Sequence, residues 1–305
     1  MIMRIKKPKF IIYTPSFDES SGGIIALHRL CDLLNRHGEK AFVVPSYQKS
    51  KCFVTNIIRG IKHCRRMITL KALHTPILYN HHFISNSTIV IYPEIIDGNP
   101  LNAKNTVRWL LHKPGFHTGR VNFGKNDLFF FYQEIFNDIE LNPHKDNLLK
   151  VTMLRDDLYK QINYGKRSSS CYMLRKGKGK KIVHDLKDSV LLDGKAHIEI
   201  AEIMNQCTYF ISYDTETLYS QYAVLCGCIS IVVPIDGKSK EQWQPVEKYR
   251  YGVAYGFDDI EEAQATAHLL YNVMKEDEVN SNESVTNFIN FVYKYYNFDK
   301  IETSD

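Results

Sequence analysis

Short runs rich in Val, Ile, Tyr and Phe alternate with helical apolar patterns along nearly the whole chain. That alternation of extended and helical segments is the signature of a doubly wound α/β sheet. KFIIYTP (9–15) reads as a strand. In SSGGIIALHRLCDLLNRHGEK, residues Ile24, Leu27, Leu30, Cys31 and Leu34 fall on one helical face, with Ser20 or Ser21 as N-cap and Gly38 as terminator. AFVVP (41–45) and STIVIYPEII (87–96) read as strands. IIRGIKHCRRMITLKAL (57–73) reads as an amphipathic helix interrupted by Gly60. NTVRWLL (105–111) reads as a helix stopped by Pro114–Gly115, and DLFFFYQEIF (127–136) as a strand or strand pair.

From about residue 145 the pattern restarts. SCYMLRKGKGKK (170–181) begins as a strand and becomes a basic loop, and SVLLD (189–193) is the next strand. HIEIAEIMNQ (197–206) is a helix, TYFISYD (208–214) a strand, TLYSQYAVLCG (217–227) a helix and CISIVVP (228–234) a strand. Two helices complete the chain, 258–275 and the aromatic 285–296. The expected organisation is therefore residues 1–145, a first Rossmann-like domain on the acceptor side. Residues 146–283 form a second, and 284–305 a helix crossing back to the first.

At 305 residues there is room for two cores of ordinary size. No apolar run is long enough to span a bilayer, and the apolar part of the N-terminus ends at Pro15, too short for a signal peptide. Seven Cys without a recurring CxxC argue against a disulfide framework and a zinc site. These features place the chain in the cytoplasm. The net charge of +5 conceals an asymmetry: no acidic residue stands between Glu39 and Glu94, while Lys40, Lys49, Lys51, Arg59, Lys62, Arg65, Arg66 and Lys71 do. Such a block suits an anionic partner surface. It lacks a recognised nucleic-acid module and its aromatics are sparse, so a membrane face is the expected partner, contacted through Arg59, Lys62, Arg65 and Arg66. The alternative is a solvated basic face.

Residues 189–234, SVLLDGKAHIEIAEIMNQCTYFISYDTETLYSQYAVLCGCISIVVP, carry a resemblance. They are similar to the donor-binding half of the large retaining group of GT-B glycosyltransferases. That group has a strand ending in a turn, a Glu-x7-Glu helix, a Gly turn and a Val-rich strand. Asp214 falls at the first Glu position and Tyr222 at the second, with Gly227 at the turn; Tyr222 is a departure from the group. The resemblance implies a GT-B fold and a nucleotide-diphosphate sugar as donor. Asp214 would accept bonds from sugar hydroxyls, or serve only as a helix N-cap. Thr215, Glu216, Thr217 and Tyr219 would line the diphosphate at a helix N-terminus, and Tyr222 would contact the ribose or simply pack in the core.

Arg175, Lys176 and Lys180 stand where such enzymes neutralise the diphosphate, so that no metal or cofactor is expected. Gly22–Gly23 stands where they often carry a Gly-rich turn, although it is not a GxGxxG. Glu94 ends a strand before a turn at Gly98. Together with Asp18 and Glu19 it is a candidate for acceptor binding or for a base, needed if the reaction inverts and dispensable if it retains; the alternative for Glu94 is a structural carboxylate. His28, His112 and His117 lie near the same loops without metal-ligand spacing. The expected activity is transfer of a hexose-type sugar to a glycan or lipid-linked acceptor, as in O-antigen or capsule synthesis. Two alternatives stand beside it: a nucleotide-sugar epimerase, and a non-catalytic partner protein of the same fold.

Overall fold

The structure, a computed structural model, describes residues 7–47, 53–79, 84–143 and 146–298. Lys49 and Lys51 of the acid-free stretch lie outside them. The chain divides into two compact units: unit 1 is Met1–Met153 with Glu278–Asp305, and unit 2 is Leu154–Asp277.

Unit 1 contains strand β1 (Lys9–Thr14), helix α1 (Gly22–Arg36), β2 (Lys40–Pro45), α2 (Phe53–Arg66), β3 (Thr88–Pro93), β4 (Asn105–Leu110) and β5 (Leu128–Phe131). Its sheet is parallel throughout, in the order β2-β1-β3-β4-β5. Both faces are apolar, as a covered parallel sheet requires. Phe10, Ile12, Ile89, Ile91, Val107 and Trp109 point to one face, and Ile11, Tyr13, Val90 and Tyr92 to the other.

Unit 2 contains β6 (Ser170–Met173), β7 (Ser189–Leu191), α3 (His197–Gln206), β8 (Tyr209–Ser212), α4 (Tyr219–Leu225), β9 (Ile229–Val232), α5 (Lys240–Trp243) and β10 (Val253–Tyr255). This sheet is also parallel, in the order β7-β6-β8-β9-β10. Counted from its own first strand, each sheet reads 2-1-3-4-5.

Three local expectations are corrected. Residues 105–110 of the expected helix form β4 instead: Val107 and Trp109 face one core while Thr106 and Arg108 face the other side. A buried Arg hides this period-two pattern, because Arg108 is fully buried only through its pairing with Asp127. The two helices expected at 258–275 and 285–296 are one 36-residue helix, α6 (Ile260–Tyr295). The polar stretch between them has no Gly or Pro to stop a helix, although its Asn, Ser and Asp residues are weak helix formers. Its C-terminal part supplies Val285, Phe288, Ile289 and Val292 to the core of unit 1, where each such side chain is worth about 1.5–3 kcal/mol. Finally, α2 runs through Gly60 without a break and stops at Arg66.

Candidate functional site

In an open parallel sheet, ligands bind beyond the carboxyl ends of the strands, where the winding reverses. In a 2-1-3-4-5 sheet that point lies between the first and third strands. It falls between β6 and β8 in unit 2, and between β1 and β3 in unit 1. Both points carry charged side chains.

In unit 2 the chain leaves β6 through a tight 3-10 turn, Arg175–Gly177. Asp193, just beyond β7, holds its start: its two carboxylate oxygens accept the N–H groups of Leu174 and Arg175, both at 2.8 Å. Arg175 sits in the left-handed region (φ 41°), a conformation a non-Gly residue keeps only when neighbours enforce it. Gly177 is buried against the end of β8; a Cβ there would overlap the Tyr213 carbonyl and lie 2.8 Å from the Tyr213 Cβ. This close approach brings Arg175 Nε to 3.8 Å from Asp214 Oδ2. The Arg175 guanidinium also lies over the Tyr219 ring, 5.4 Å from its centre. The Tyr219 hydroxyl is bonded to one nitrogen of His197 (2.8 Å), and Tyr159 to the other (2.6 Å).

Lys176 pairs with Glu216 at the surface (3.2 Å). Lys180 closes the next turn through its N–H to the Gly177 carbonyl, while its ammonium is shielded from solvent and has no partner among the described residues.

The residues expected along the diphosphate are arranged differently from a helix start. Asp214 is 3% exposed. Its Oδ1 accepts the Glu216 N–H (3.1 Å), and Thr217 Oγ1 accepts the Tyr219 N–H (3.3 Å). Such short polar side chains compete with the helix for backbone N–H groups, so α4 starts at Tyr219 rather than at Thr217. Thr215 offers its carbonyl to the Trp243 indole N–H (2.8 Å). Tyr222 is 3% exposed and stacked face to face on Tyr159 with 4.1 Å between ring centres. Tyr222 thus packs in the core of unit 2.

In unit 1, Gly22 and Gly23 are the first two residues of α1. Neither has a positive φ, and a Cβ at Gly22 would meet nothing within 4 Å. The preceding turn is an Asx turn, with Asp18 Oδ1 accepting the N–H and hydroxyl of Ser20 (2.8 and 2.7 Å); Glu19 lies half-buried in it. His28 is fully buried behind this loop and bonds the Pro15 carbonyl (3.0 Å). Burial lowers its pKa, against the opposing pull of the Pro15 carbonyl.

Glu94 leaves the end of β3 and is 6% exposed. Its Oε2 accepts the Leu111 N–H at 3.0 Å. Burial pushes its carboxyl up to about 7, against the opposing pull of backbone N–H groups and Arg108. The loop carrying it is pinned by Arg108, whose five N–H donors are all used. Nη1 reaches the Pro93 and Ile96 carbonyls (3.2 and 2.6 Å), Nη2 reaches Gly98 O (2.6 Å), and Nε and Nη2 fork onto Asp127 (2.9 and 2.8 Å). Leu111 also packs at 3.5 Å from the Cβ position of Gly23. One residue thus joins Glu94, the start of α1 and the β4 loop.

The fold is two-domain and Rossmann-like.

That is the architecture implied by the resemblance to GT-B glycosyltransferases, and strand order carries it. No family model and no curated protein matches this chain. Among solved structures it is similar to the spinosyn forosaminyltransferase SpnP, at 11% identity and a TM-score of 0.41, over 94% of this chain and 100% of that one. It is similar to an α-glucosyltransferase in complex with UDP and a DNA 13-mer, at 12% identity and 0.45, over 96% and 99%. T4 phage BGT in complex with UDP-glucose gives 10% and 0.40, over 96% and 99%.

Of the remaining sequence candidates, Arg59, Lys62, Arg65 and Arg66 all lie on the exposed face of α2, without an acidic partner among the described residues. Gly60, Cys64 and, just past the helix, Met67 form the inward side. Sequence reasoning missed Asp193, Gly177, Arg108 and Asp127. Of these, only the tripeptide spacing of Gly177 after Arg175 left a visible trace.

Proposed function

We propose that this chain is a GT-B-type glycosyltransferase that holds a nucleotide-diphosphate sugar in unit 2 and its acceptor in unit 1. The observation that carries the reading is the cation group beyond β6. Arg175 is forced into a left-handed turn to point beside Asp214, and Lys180 keeps a shielded ammonium with no partner among the described residues. An anionic ligand supplies that partner.

In the reaction, the bond between sugar C1 and the diphosphate oxygen breaks. The leaving diphosphate gains negative charge, which Arg175, Lys176 and Lys180 are placed to offset. The acceptor hydroxyl oxygen forms the new bond to C1, and its proton passes to Glu94 as carboxylate. Asp214 acts by holding Arg175 rather than by binding the sugar. Because side chains supply the positive charge, transfer is expected to survive chelation by EDTA. The sugar is of the hexose type and the product belongs to glycan assembly.

Hydrolysis of a panel of nucleotide sugars by the purified chain tests this reading. At least one donor should be hydrolysed, and Arg175→Ala should slow that hydrolysis by about 10–1000-fold. No hydrolysis of any donor, together with no binding of any nucleoside diphosphate by calorimetry, would sink it.

The exposed face of α2 supports a finer placement on an anionic membrane surface. Ile58 (63% exposed) and Ile61 (38%) stand among Arg59, Lys62, Arg65 and Arg66, and Ile68 follows at 65%. Cations attract anionic headgroups at about 1 kcal/mol each, and the isoleucines can enter the acyl boundary. No helix among the described residues is long and apolar enough to cross a membrane. In flotation with phosphatidylglycerol-rich vesicles, the Lys62→Glu/Arg65→Glu variant should bind on the order of 100-fold more weakly than the wild type. Equal flotation on neutral vesicles would refute the electrostatic part.

A further inference from the structure

Three rings of unit 2 are bonded in a chain that ends beneath Arg175. His197, the first residue of α3, bonds the Tyr159 hydroxyl through Nδ1 (2.6 Å) and the Tyr219 hydroxyl through Nε2 (2.8 Å). A neutral imidazole donates from one nitrogen and accepts at the other, and a phenol hydroxyl does either. Both bonds therefore form whichever nitrogen carries the proton. Tyr159 is fully buried and stacked on Tyr222, which ties one end of the chain to the core of unit 2. At the other end stands the Tyr219 ring, with the Arg175 guanidinium 5.4 Å from its centre, within the reach of a cation–π contact.

One short stretch of chain thereby grips Arg175 twice. Asp193 accepts the Arg175 backbone N–H at 2.8 Å. The chain then turns at Gly194, in the left-handed region (φ 81°), and four residues after Asp193 it delivers His197 to the Tyr219 hydroxyl. The first contact fixes the backbone of Arg175, and the second fixes the ring under its guanidinium. A Tyr ring swings about two side-chain torsions, and a bond to its hydroxyl stops that swing. The Asp214 carboxylate, 3.8 Å from Nε, is beyond hydrogen-bond length. It attracts the guanidinium without fixing its plane, a constraint that the ring face adds.

We infer that His197 is a positioning residue for donor turnover: it holds the Tyr219 ring so that Arg175 meets the charge developing on the diphosphate. His197 acts through Tyr219 and Arg175, not on the donor itself. A histidine that only filled space would affect stability, and the rate of the folded protein would not link it to Arg175. This inference rests on the glycosyl-transfer reading above.

The test measures hydrolysis of the donor found in the nucleotide-sugar panel, with Arg175→Ala as the reference. The Asn amide ends where Nδ1 does, so His197→Asn can keep the bond to Tyr159 and loses the one to Tyr219. The Gln amide reaches the place of Nε2. His197→Asn should lower kcat about tenfold with KM little changed, because the guanidinium is needed most as the bond to C1 breaks. His197→Gln should restore most of that loss. In the Arg175→Ala background, His197→Asn should cost nothing further. Tyr219→Phe removes the same bond from the other partner and should repeat both results. Thermal unfolding of each variant checks the fold. Wild-type kcat in folded His197→Asn and Tyr219→Phe overturns the inference. So does an equal loss with and without Arg175, which marks a structural role. No hydrolysis by the wild type, or hydrolysis unslowed by Arg175→Ala, would instead strike the donor reading beneath it, so the two failures separate.

Discussion

Gly177→Ala is expected to abolish most donor turnover while the chain still folds. The added methyl would overlap the Tyr213 carbonyl, which is backbone just past β8, held by the bond of the Tyr213 N–H to the Met173 carbonyl (2.9 Å). The relief available is to lift the Arg175–Gly177 turn off the end of β8. Overpacking of this kind costs about 1–3 kcal/mol of stability, within what a domain tolerates. The functional cost is larger, because the same movement separates Arg175 from Asp214, now 3.8 Å apart, and displaces the turn that Lys180 closes. A misplacement of about 1 Å can cost on the order of 100-fold in rate. Donor hydrolysis and thermal unfolding, measured side by side, check this. Near-wild-type hydrolysis in a folded Gly177→Ala protein would show that the turn does not position the donor groups.

Glu94→Gln is expected to lower transfer to the acceptor by about 100- to 10 000-fold, the usual range for loss of a general base. Glutamine keeps an oxygen for the Leu111 N–H and has nearly the same volume, so packing changes little. The pH dependence carries the sign. Burial raises the carboxyl from its ordinary 4.5 to about 7; only the carboxylate can take the acceptor proton, so activity should climb with pH through about 7 and then level. The Gln variant should lose that limb.

Stability moves the other way. The folded chain holds this proton more tightly than the unfolded one, so the contribution of Glu94 is fully present below about 4.5 and is lost as pH rises through about 7. Removing the charge should therefore help the Gln variant more at pH 8 than at pH 5, read as the difference in Tm from the wild type. A flat pH–rate profile in the wild type, or an unchanged profile in Glu94→Gln, would remove Glu94 from the reaction.

Much of the candidate site was visible before any tertiary information. The basic loop with Arg175, Lys176 and Lys180 follows a strand in the sequence, and Glu94 ends one, because parallel strands announce themselves as apolar runs and their carboxyl ends come next. The same reasoning left Asp214 as a ligand contact or a helix N-cap, and Tyr222 as a ribose contact or a core residue. Both side chains are 3% exposed. A carboxylate or phenol looks identical in sequence whether it faces a substrate or a neighbour 39 or 63 residues away, as Arg175 or Tyr159 is here.

By itself the sequence determined the class of the fold: local period and β-branched content mark β1, β2, β3, β8 and β9, and the Ile24–Leu34 stripe marks α1. It also determined the basic face of α2, since the charge of an acid-free stretch does not depend on packing. Tertiary structure alone decided the rest. It made 105–110 a strand, because β3 and β5 offer that segment backbone partners on both sides and Asp127 answers the charge of Arg108. It joined two expected helices into α6, because the apolar side chains at its far end complete the core of unit 1. It turned Asp193 and Gly177 into the supports of Arg175, through contacts between residues 18 and 36 positions apart in the chain. Local pattern reports what a segment prefers, whereas the partners of a buried charge or a bare Cα are set only when distant segments meet.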